Sequence, residues 1–398
     1  MAKIVIIGGS FGGLTSAFEL KRLLGGKHEV TLLSEEPRFV FIPSLPWVAL
    51  GWKDPKKIVM DLREPLQSKG IQFRHESAQQ IDPNGMTVTT SKDMLPYDYL
   101  IIATGSAYLF NAIPNLGPDQ GHTHSLLTLD HALKAKEALA RTLAADSGNI
   151  VLGNAQGASC LGPAYEMAMM VDTALRRKKK RSKFNISFVT NEPFLGHFGV
   201  GGMGRTRRAM EDEFYDRDIS FHLNAEIAGI TPKEIELKNG TKIGQDFAMI
   251  MPPFRGVDAV MNSQGIGNPK GFVPVDEHYK HKIYPNIYSV GVAMAIPPCN
   301  TPVPVGVPKT GDMTVQMARI AARSIASDIT GQKSDPLPDI HVLCVADAGD
   351  TAMFMYGSPF QAPRNRALVK KGRWAHWAKV AFEHYFMYKI RRGMTYLP

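Results

Sequence analysis

The N-terminal segment constrains the fold of this chain more than any other stretch. The strand KIVIIGG is apolar throughout, as expected in a buried parallel sheet, and runs into the glycine-rich turn GGSFGG at residues 8–13. An apolar-periodic helix is predicted from Leu14 to Leu24, and a second strand, HEVTLLS, ends at Ser34. This order of elements predicts a dinucleotide-binding βαβ unit, and therefore an α/β protein.

The turn supplies the first candidate cofactor contacts. Gly8 permits the tight turn and Gly13 lets the helix pack closely on the strand, whereas Ser10 replaces the middle glycine of the usual pattern. A pyrophosphate is expected at the helix N-terminus, where backbone N–H groups and the helix dipole favour anions. Ser34 and Glu35 lie near the position of the acidic residue that holds the ribose. Within the turn, the predicted contacts are Gly8, Gly9, Ser10, Phe11, Gly12 and Gly13.

Two later segments resemble parts of the two-dinucleotide-domain flavoproteins. YDYLIIATGS at residues 97–106 ends in a turn that recurs beside their cofactor, with Thr104 and Gly105 as contacts. NIYSVGVAMAIPP at residues 286–298 resembles the strand that returns to the cofactor domain, although valine follows Gly291 where an aspartate is usual. The resemblance implies FAD and two Rossmann-like domains. The predicted boundaries are 1–115 and 271–335 for a split FAD-binding domain, 116–270 for the second Rossmann-like domain and 336–398 for a C-terminal region.

The second nucleotide-binding turn departs from the usual pattern. An apolar strand leads into Gly153-Asn-Ala-Gln-Gly157-Ala-Ser-Cys160, in which the glycine spacing is off and the third glycine is absent. A nicotinamide site is therefore not expected there. The turn instead presents a cysteine just before a helix that is predicted from Pro163 to Leu175.

Six segments together resemble the sulfide:quinone oxidoreductases, in the order and at the separations found in that family. They are RFVFIPSLPWVALGW (38–52), GASCLGPAYE (157–166), NEPFLGHFG (191–199), PVPVGVPKTG (302–311), VLCVADAGD (342–350) and GRWAHWAKVAFEHYF (372–386). Members of this family are membrane-associated FAD enzymes. They oxidise hydrogen sulfide to zero-valent sulfur or polysulfide and reduce a quinone.

The resemblance implies a role for each residue of a sulfur site. Cys160 and Cys344 would form the redox pair beside the flavin, Glu166 would act as acid/base, and His131 and His197 would shuttle protons. The turn leading into the helix is expected to lower the pKa of the Cys160 thiol through the helix dipole. The residues alone leave other interpretations open: buried structural cysteines, a carboxylate that complements a helix N-terminus, and structural histidines.

The same resemblance adds further cofactor and quinone contacts. Lys309 would lie near the flavin pyrimidine, where a cation stabilises the reduced anion, and Lys379 and Phe382 would lie near the quinone. Leu127 stands where the family often has a third cysteine, which puts sulfur release in question. Cys299, at a non-matching position, is expected to be a packed loop residue. The remaining predicted cofactor contacts are Ile42, Ala78 and Gly291.

Positive charge is concentrated at the C-terminus. The formal net charge is +9 at pH 7, and residues 364–398 carry nine lysines and arginines against one acid. A helix predicted from Arg373 to Ile390 places Trp374, Trp377, Ala381, Tyr385 and Tyr388 on one face, and His376, Lys379 and Glu383 on the other. Aromatic residues at helical spacing with basic flanks are typical of a helix that lies in a membrane interface. Docking of this helix on the protein's own core is the alternative.

The sequence therefore predicts a peripheral, monotopic membrane protein at the cytoplasmic face of the inner membrane. No apolar run is as long as a membrane span, and the N-terminus carries no export signal. The expected partners are hydrogen sulfide, ubiquinone or menaquinone, and the membrane surface. Self-association into a homo-oligomer is left open, and neither a metal site nor a nucleic-acid partner is expected.

Two other functions remain open at this point. One is the flavin subunit of a flavocytochrome c-type sulfide dehydrogenase, against which the absent export signal argues. The other is a non-enzymatic FAD-binding redox sensor at the membrane. A type II NADH:quinone oxidoreductase is disfavoured because the second turn lacks the glycines of a nicotinamide site.

Overall fold

The structure is a computed structural model of the chain, and it describes residues 1–119, 121–332 and 339–396. The predicted boundary between residues 335 and 336 lies outside the described residues. The strands are β1 Lys3–Ile7, β2 Glu29–Ser34, β3 Arg38–Val40, β4 Val59–Asp61, β5 Gln72–His75, β6 Ala78–Asp82, β7 Thr87–Thr90, β8 Met94–Pro96, β9 Tyr99–Ile102, β10 Ala107–Tyr108, β11 Gly148–Asn154, β12 Phe184–Val189, β13 Ile219–His222, β14 Ile227–Ile230, β15 Glu234–Leu237, β16 Lys242–Gly244, β17 Phe247–Met251, β18 Phe254–Arg255, β19 Ile287–Ser289, β20 Val342–Asp347, β21 Ala352–Ser358 and β22 Arg366–Gly372. The helices are α1 Phe11–Leu24, α2 Leu45–Ala49, α3 Arg63–Ser68, α4 Leu129–Ala144, α5 Gly162–Arg177, α6 Thr206–Asp216, α7 Asp258–Met261, α8 Gly311–Thr330 and α9 Arg373–Arg391.

The first sheet is parallel and has the strand order β19-β9-β1-β2-β5. Alternate residues of β1 enter different cores: Ile4 and Ile6 join one buried cluster, and Val5 and Ile7 join another. Burial of both faces explains why this strand is apolar at every position. β19 lies nearly 200 residues after β9 along the chain, yet it pairs with β9 in this sheet.

The second sheet is also parallel, with the strand order β13-β12-β11-β17. α5 packs on β11 and begins at Gly162, one residue before the predicted start, with Pro163 in its first turn. Proline suits this position because its missing N–H would have no intrahelical partner there. Two parallel sheets of this kind confirm the α/β fold with two dinucleotide-binding-type domains.

A smaller antiparallel sheet, β20-β21-β22, follows the two parallel sheets along the chain. β20 packs against α5 of the second domain, and α9 packs against β20 and β21. This sheet therefore brings residues near 344 against residues near 160, although they are far apart in the sequence.

The C-terminal helix α9 docks on the protein through charged residues together with apolar ones such as Phe386 and Ile390. Lys379 and Glu383 are buried against the protein, whereas Trp374 and Trp377 are 49% and 62% exposed. Glu383 accepts a hydrogen bond from Lys53 at 2.8 Å and another from the Ser44 hydroxyl. Ion pairing in the core therefore fixes the helix, while its aromatic side faces outward. Among the described residues, no helix has the length and apolar character needed to cross a bilayer.

Candidate active site

The predicted cofactor contacts gather at one edge of the first sheet. Gly8, Ser34, Thr104 and Gly291 each lie at or just beyond the carboxyl end of a strand of this sheet. All five strands run in the same direction, so these ends meet at one edge, where ligands bind in open α/β sheets. The fold thus brings together four predicted contacts that span 284 positions of the sequence.

The glycine-rich turn fits a dinucleotide on steric grounds. A Cβ on Gly13 would lie 1.7 Å from the carbonyl oxygen of Gly8. Gly8 itself has φ +114°, and a Cβ there would lie 2.3 Å from the Ala103 oxygen. Only glycine is compatible with such approaches, and their result is a helix N-terminus that lies directly behind the strand edge. Ser10, the N-cap residue, makes no side-chain capping bond in the structure.

Lys309 adds a cation beside the start of α8. Its ammonium lies 5.2 Å from the centre of the Phe272 ring, and burial lowers the pKa of this lysine to about 8. A half-buried cation beside a helix N-terminus is suited to an anionic ligand group. The turn and Lys309 together therefore fit the phosphates and the reduced ring of a flavin dinucleotide.

The remaining predicted contacts differ in their surroundings. Phe11 is buried in a group of aromatic rings, and Gly12 lies against Val290 and Thr314. Ser34 donates to the Glu36 carbonyl at 2.8 Å, whereas the neighbouring Glu35 is exposed. The other three sites are Gly9 against Leu62 and Ser34, Ile42 at the surface and Ala78 at the start of β6.

Cys160 and Cys344 lie together in space. Cys160 precedes α5, Cys344 lies on β20, and both are partly buried free thiols. The charge of Cys160 acts on Cys344, and the charge of Glu166 acts on both thiols. Local structure explains the placement of each: a strand–turn–helix unit presents Cys160, and the strand packed on that helix presents Cys344.

The expectation that the helix lowers the pKa of Cys160 is wrong. Burial, with a further contribution from Glu166, raises the pKa of this thiol to about 12. The same two causes raise the pKa of Cys344 to about 12, and Lys379 partly opposes them. Desolvation outweighs the dipole because a thiolate loses its hydration in this position. Both free thiols are consequently held in the protonated form.

Glu166 is the acidic group of this site and pairs with Lys379. The Lys379 Nζ donates to Glu166 Oε1 at 2.6 Å, and the Asp347 backbone N–H donates to the same oxygen at 3.3 Å. Burial nevertheless raises the pKa of Glu166 to about 7, against the lowering effect of Lys379. A carboxyl with a pKa near 7 is suited to accept and return protons at neutral pH.

The sequence did not reveal the residues that surround the Glu166–Lys379 pair. Asp347 is fully buried; its carboxylate accepts from Trp47 Nε1 at 2.8 Å and lies 3.0 Å from His376 Nδ1. The Lys379 ammonium lies 5.2 Å from the centre of a Trp47 ring. Asp347 lies three residues after Cys344, but neither its burial nor its partners on α2 and α9 follow from any local pattern.

The two predicted histidines differ in how close they come to the cysteines. His131, in the first turn of α4, bonds to Ser125 Oγ at 2.8 Å and lies 6.2 Å from the Tyr108 ring centre. Tyr108 is near Cys160, because burial and then the charge of Cys160 raise the pKa of this phenol to about 12. His131 is thus one aromatic ring away from Cys160.

His197 lies in a separate loop. Its Nδ1 accepts from the Gly199 N–H at 3.1 Å, and burial lowers its pKa. The loop reaches the cysteine only through packing: Gly199 lies against Gly306, which lies against Ser159. Cys299 contacts the same loop, with its Sγ 3.7 Å from the Gly199 oxygen.

Five phenylalanines form an aromatic cluster beside the cofactor turn: Phe11, Phe39, Phe41, Phe382 and Phe386. Phe11 and Phe386 have ring centres 4.8 Å apart, and Phe41 and Phe382 lie 6.0 Å apart. Phe382 is 39% exposed and forms the outer end of the cluster. The FVF pattern at residues 39–41 was the available sequence signal for Phe39 and Phe41.

Two domains built on parallel sheets, together with two cysteines that lie near each other, define the class of protein. The family model for pyridine nucleotide-disulphide oxidoreductases matches residues 2–319. A sulfide-quinone reductase of Aquifex aeolicus (strain VF5) is 40% identical over 99% of this chain and 92% of that protein. The mitochondrial sulfide:quinone oxidoreductase of Mus musculus is 25% identical over 75% of this chain and 67% of its own length.

A solved structure gives the same result. The X-ray structure of the sulfide:quinone oxidoreductase from Aquifex aeolicus superposes with a TM-score of 0.94 at 38% identity, covering 99% of this chain and 92% of that chain. This chain therefore belongs to the sulfide:quinone oxidoreductases, within the pyridine nucleotide-disulphide oxidoreductase family. Membership of that family implies a flavin cofactor.

Proposed function

We propose that this chain oxidises hydrogen sulfide to polysulfide and reduces ubiquinone or menaquinone, with FAD as cofactor and Cys160 and Cys344 as the redox pair. The observation that carries the proposal is the meeting of the two thiols beside Glu166 and Lys379. Structural cysteines would need no titrating carboxyl and no buried ammonium at the same place, since both are costly to bury.

The sulfur chemistry starts from the disulfide form of the pair. Hydrosulfide attacks one sulfur, the S–S bond breaks, and the products are a persulfide on one cysteine and a thiolate on the other. A second hydrosulfide attacks the outer persulfide sulfur, so that H₂S₂ leaves and the other thiolate is freed. The two thiolates lose two electrons as the disulfide forms again. FAD, when bound, accepts these electrons and passes them to the quinone.

Glu166 and Lys379 handle the charge and the protons of this cycle. Glu166 takes the proton of an incoming sulfur species and returns it to the leaving one, because its pKa of about 7 favours transfer in both directions. Lys379, within 2.6 Å of Glu166, stabilises each thiolate as it forms. Of the two histidines, whose neutral form burial favours, His131 is the better placed to exchange protons with this site, because it bonds to Ser125 and lies beside Tyr108, whereas His197 reaches the site only through packing.

The second nucleotide-binding turn is closed to a nicotinamide cofactor. Gly157 donates its N–H to the Pro304 oxygen at 2.7 Å, and Gly306 donates to the Ala158 oxygen at 2.9 Å. The 302–308 segment thus uses a backbone donor of the turn and covers it. A pyrophosphate would need such donors to be free. Sulfide is therefore a better reductant candidate than NADH for this chain.

The aromatic cluster is the proposed quinone site. Phe382 forms its outer end, and Lys379 lies one helical turn before Phe382 on α9. Aromatic faces stack with a quinone ring, and a nearby ammonium stabilises the charge that develops on its oxygen. Members of the cluster also contact the cofactor turn through Phe11, which keeps the flavin and the quinone close together.

The aromatic side of α9 is the proposed membrane contact. Trp374, Trp377 and Tyr388 are exposed on it, and the C-terminal region carries most of the net positive charge. Tryptophan and tyrosine are favoured at the headgroup level, and each basic residue near an anionic surface contributes about 1 kcal/mol. The expected location is the cytoplasmic face of the inner membrane, where a membrane quinone can reach Phe382.

A stopped-flow experiment tests the proposed function. Mixing the purified FAD protein with sulfide should bleach the visible absorbance of the flavin. A short-tailed ubiquinone analogue, added next, should restore this absorbance. Cys160→Ser and Cys344→Ser should each abolish bleaching by sulfide, whereas Cys299→Ser, the matched control, should retain it. Bleaching by NADH but not by sulfide, or full activity in the Cys160→Ser, Cys344→Ser double variant, would overturn the proposal.

A further inference from the structure

A second group of titratable side chains lies where the start of α8 meets the residue before β20. His341 Nε2 lies 3.2 Å from Asp312 Oδ2, and Gln316 Nε2 donates to the same oxygen at 2.9 Å. Gln316 also donates to the His341 carbonyl at 3.1 Å and accepts from its backbone N–H at 3.2 Å. These hydrogen bonds hold the imidazole of His341 and the carboxylate of Asp312 next to each other.

This pair is in contact with solvent. The side chains of His341 and Asp312 are 33% and 29% exposed. The imidazole presents one nitrogen to the carboxylate, which leaves Nδ1 for exchange with water. A histidine in this arrangement is a suitable first acceptor of protons from the aqueous side.

Lys389 lies on the inner side of the pair. Only 3% of this residue is exposed, and its ammonium lies 4.5 Å from the Phe386 ring centre and 5.4 Å from that of Tyr385. Burial lowers the pKa of Lys389 to about 8, Arg319 adds to the lowering, and the charge of Asp312 opposes it. Asp312 is therefore close enough to act electrostatically on the ammonium.

The position of Lys389 connects the pair to the aromatic cluster. Phe386, which the ammonium covers, lies 4.8 Å from Phe11 and 6.0 Å from Phe382 between ring centres. On the other side, Gly311, directly before Asp312, lies against the Phe11 ring. Lys389 and the residue directly before Asp312 thus both border the aromatic cluster, which is the proposed quinone site.

We propose that His341, Asp312 and Lys389 form a proton route from solvent to the quinone, an inference that rests on the proposed function. Reduction of a quinone to a quinol consumes two electrons, which sulfide supplies by way of the flavin, and two protons, of which the anionic reduced flavin carries one and solvent supplies the other. Lys389 donates a proton to a quinone oxygen, and Asp312 restores it with a proton received from His341 across the 3.2 Å contact. The flexible lysine stem lets the ammonium move between the rings and Asp312.

A second route suits the proton that the quinone takes up, because Glu166 serves the opposite task. Oxidation of sulfide releases protons at the cysteines, whereas reduction of quinone takes protons up. Glu166 and Lys379 are engaged with each other at 2.6 Å on the cysteine side. The Asp312 group lies on a different helix and reaches solvent independently.

The test isolates quinone reduction from sulfide oxidation. The FAD protein is reduced with dithionite and mixed with the ubiquinone analogue, while a pH-indicator dye follows proton uptake. His341→Ala, Asp312→Asn and Lys389→Met should slow flavin reoxidation and proton uptake together by about 10-fold or more, within the range for general acid catalysis. Added imidazole should rescue His341→Ala, and bleaching by sulfide should keep its wild-type rate. His75→Ala, an exposed histidine of β5, is the control.

Binding and folding readouts complete the experiment. The Kd of the ubiquinone analogue, measured by quenching of protein fluorescence, should change less than about 2-fold, and far-ultraviolet circular dichroism should show folded variants. Wild-type reoxidation in all three variants would overturn the proton route. A weaker Kd with an unchanged first-order rate would overturn it too, because the residues would then serve binding alone. Dithionite replaces sulfide here, so failure of the sulfide reaction remains a separate result.

Discussion

The two strand–turn–helix units of this chain share a frame but differ in what their turns can hold. In the first, Gly8 and Gly13 approach backbone so closely that a Cβ would lie 2.3 Å and 1.7 Å from carbonyl oxygens. In the second, Gly157 donates its N–H to Pro304, and the turn ends at Cys160. The strand–turn–helix fold of a nucleotide site can therefore persist without the nucleotide, provided that neighbouring backbone carbonyls accept the hydrogen bonds that the nucleotide would accept.

The largest expected effect is at the first turn. Gly13→Ala would place a Cβ 1.7 Å from the Gly8 oxygen, so the turn must open and the helix must shift. We expect loss of bound flavin and a decrease in the free energy of unfolding of about 3 kcal/mol. Visible absorbance of the purified protein and urea unfolding measure the two effects. Gly26→Ala, with no atom within 4 Å of the added Cβ, is the control. Full flavin content in Gly13→Ala would remove the distinction between the two turns.

The next largest effect is expected at Glu166, the carboxyl group beside the second turn. Glu166→Gln removes the carboxyl whose pKa burial raises to about 7, and sulfide should then bleach the flavin about 100-fold more slowly. Infrared difference spectra between pH 5 and 9 should show a protonated-carboxyl band that disappears as the pH rises through about 7, and Glu166→Gln should lack it.

The same carboxyl group, Glu166, also determines how the stability of the protein changes with pH. Its folded pKa lies above the unfolded value, so the folded state binds more protons than the unfolded state between about pH 4.3 and 7. Glu166 therefore makes stability fall as the pH rises through this window. Its contribution is most favourable below the window. An identical pH dependence of unfolding in Glu166→Gln would contradict the burial that gives the second turn its acid.

A smaller effect is expected at Lys309, on the ligand side of the first domain. Lys309→Met should weaken flavin binding about 10-fold, the loss of one charged hydrogen bond. In the flavin-free protein, by contrast, the charge of Lys309 lowers the stability of the fold. The folded pKa of about 8 lies below the unfolded value near 10.4, so stability rises with pH between them. Flavin-free Lys309→Met should accordingly unfold at a higher temperature than wild type at pH 7. Scanning calorimetry with and without flavin measures both; equal affinities would remove Lys309 from the flavin site.

The smallest effect is expected at the second turn's own glycine. In Gly157→Ala the added Cβ would lie 3.5 Å from the Pro253 side chain, which is an ordinary contact. The main cost of this substitution is backbone strain at φ +79°. A left-handed conformation costs an alanine about 1–2 kcal/mol. Flavin content should be unchanged, and the unfolding midpoint in urea should fall slightly. Loss of flavin in this variant, comparable to that in Gly13→Ala, would show that the second turn still supports the cofactor domain.

Local patterns predicted the first sheet well because both of its faces are buried. Continuous apolar strands such as KIVII and a glycine turn specify a parallel βαβ unit without distant information. The predicted helix bounds differ from the observed ones by at most three residues: the bounds at Leu24 and Arg373 agree, and the starts at Phe11 and Gly162 differ. The assignment of roles to Cys160, Cys344 and the histidines came from family resemblance, and these roles stay predictions.

The charge environment of the site was not predictable in the same way. The helix dipole was expected to lower the pKa of Cys160, but burial raises it to about 12, because desolvation depends on atoms from distant segments. The polar residues of α9 follow the same logic. The helical spacing placed Lys379 and Glu383 only on the face opposite the aromatic residues; they are buried because Glu166, Ser44 and Lys53 are available to pair with them.

The sequence by itself determined the strand–turn–helix units, the positions of the glycines that no other residue can replace, and the aromatic and basic character of the C-terminal helix. These are properties of neighbouring residues, set by backbone sterics and by periodicity. Only the tertiary structure decided which side of α9 faces the protein, which thiols meet and what their pKa values are. Those properties depend on burial and on pairing between residues such as Glu166 and Lys379, which lie far apart in sequence and touch only after the sheets have packed.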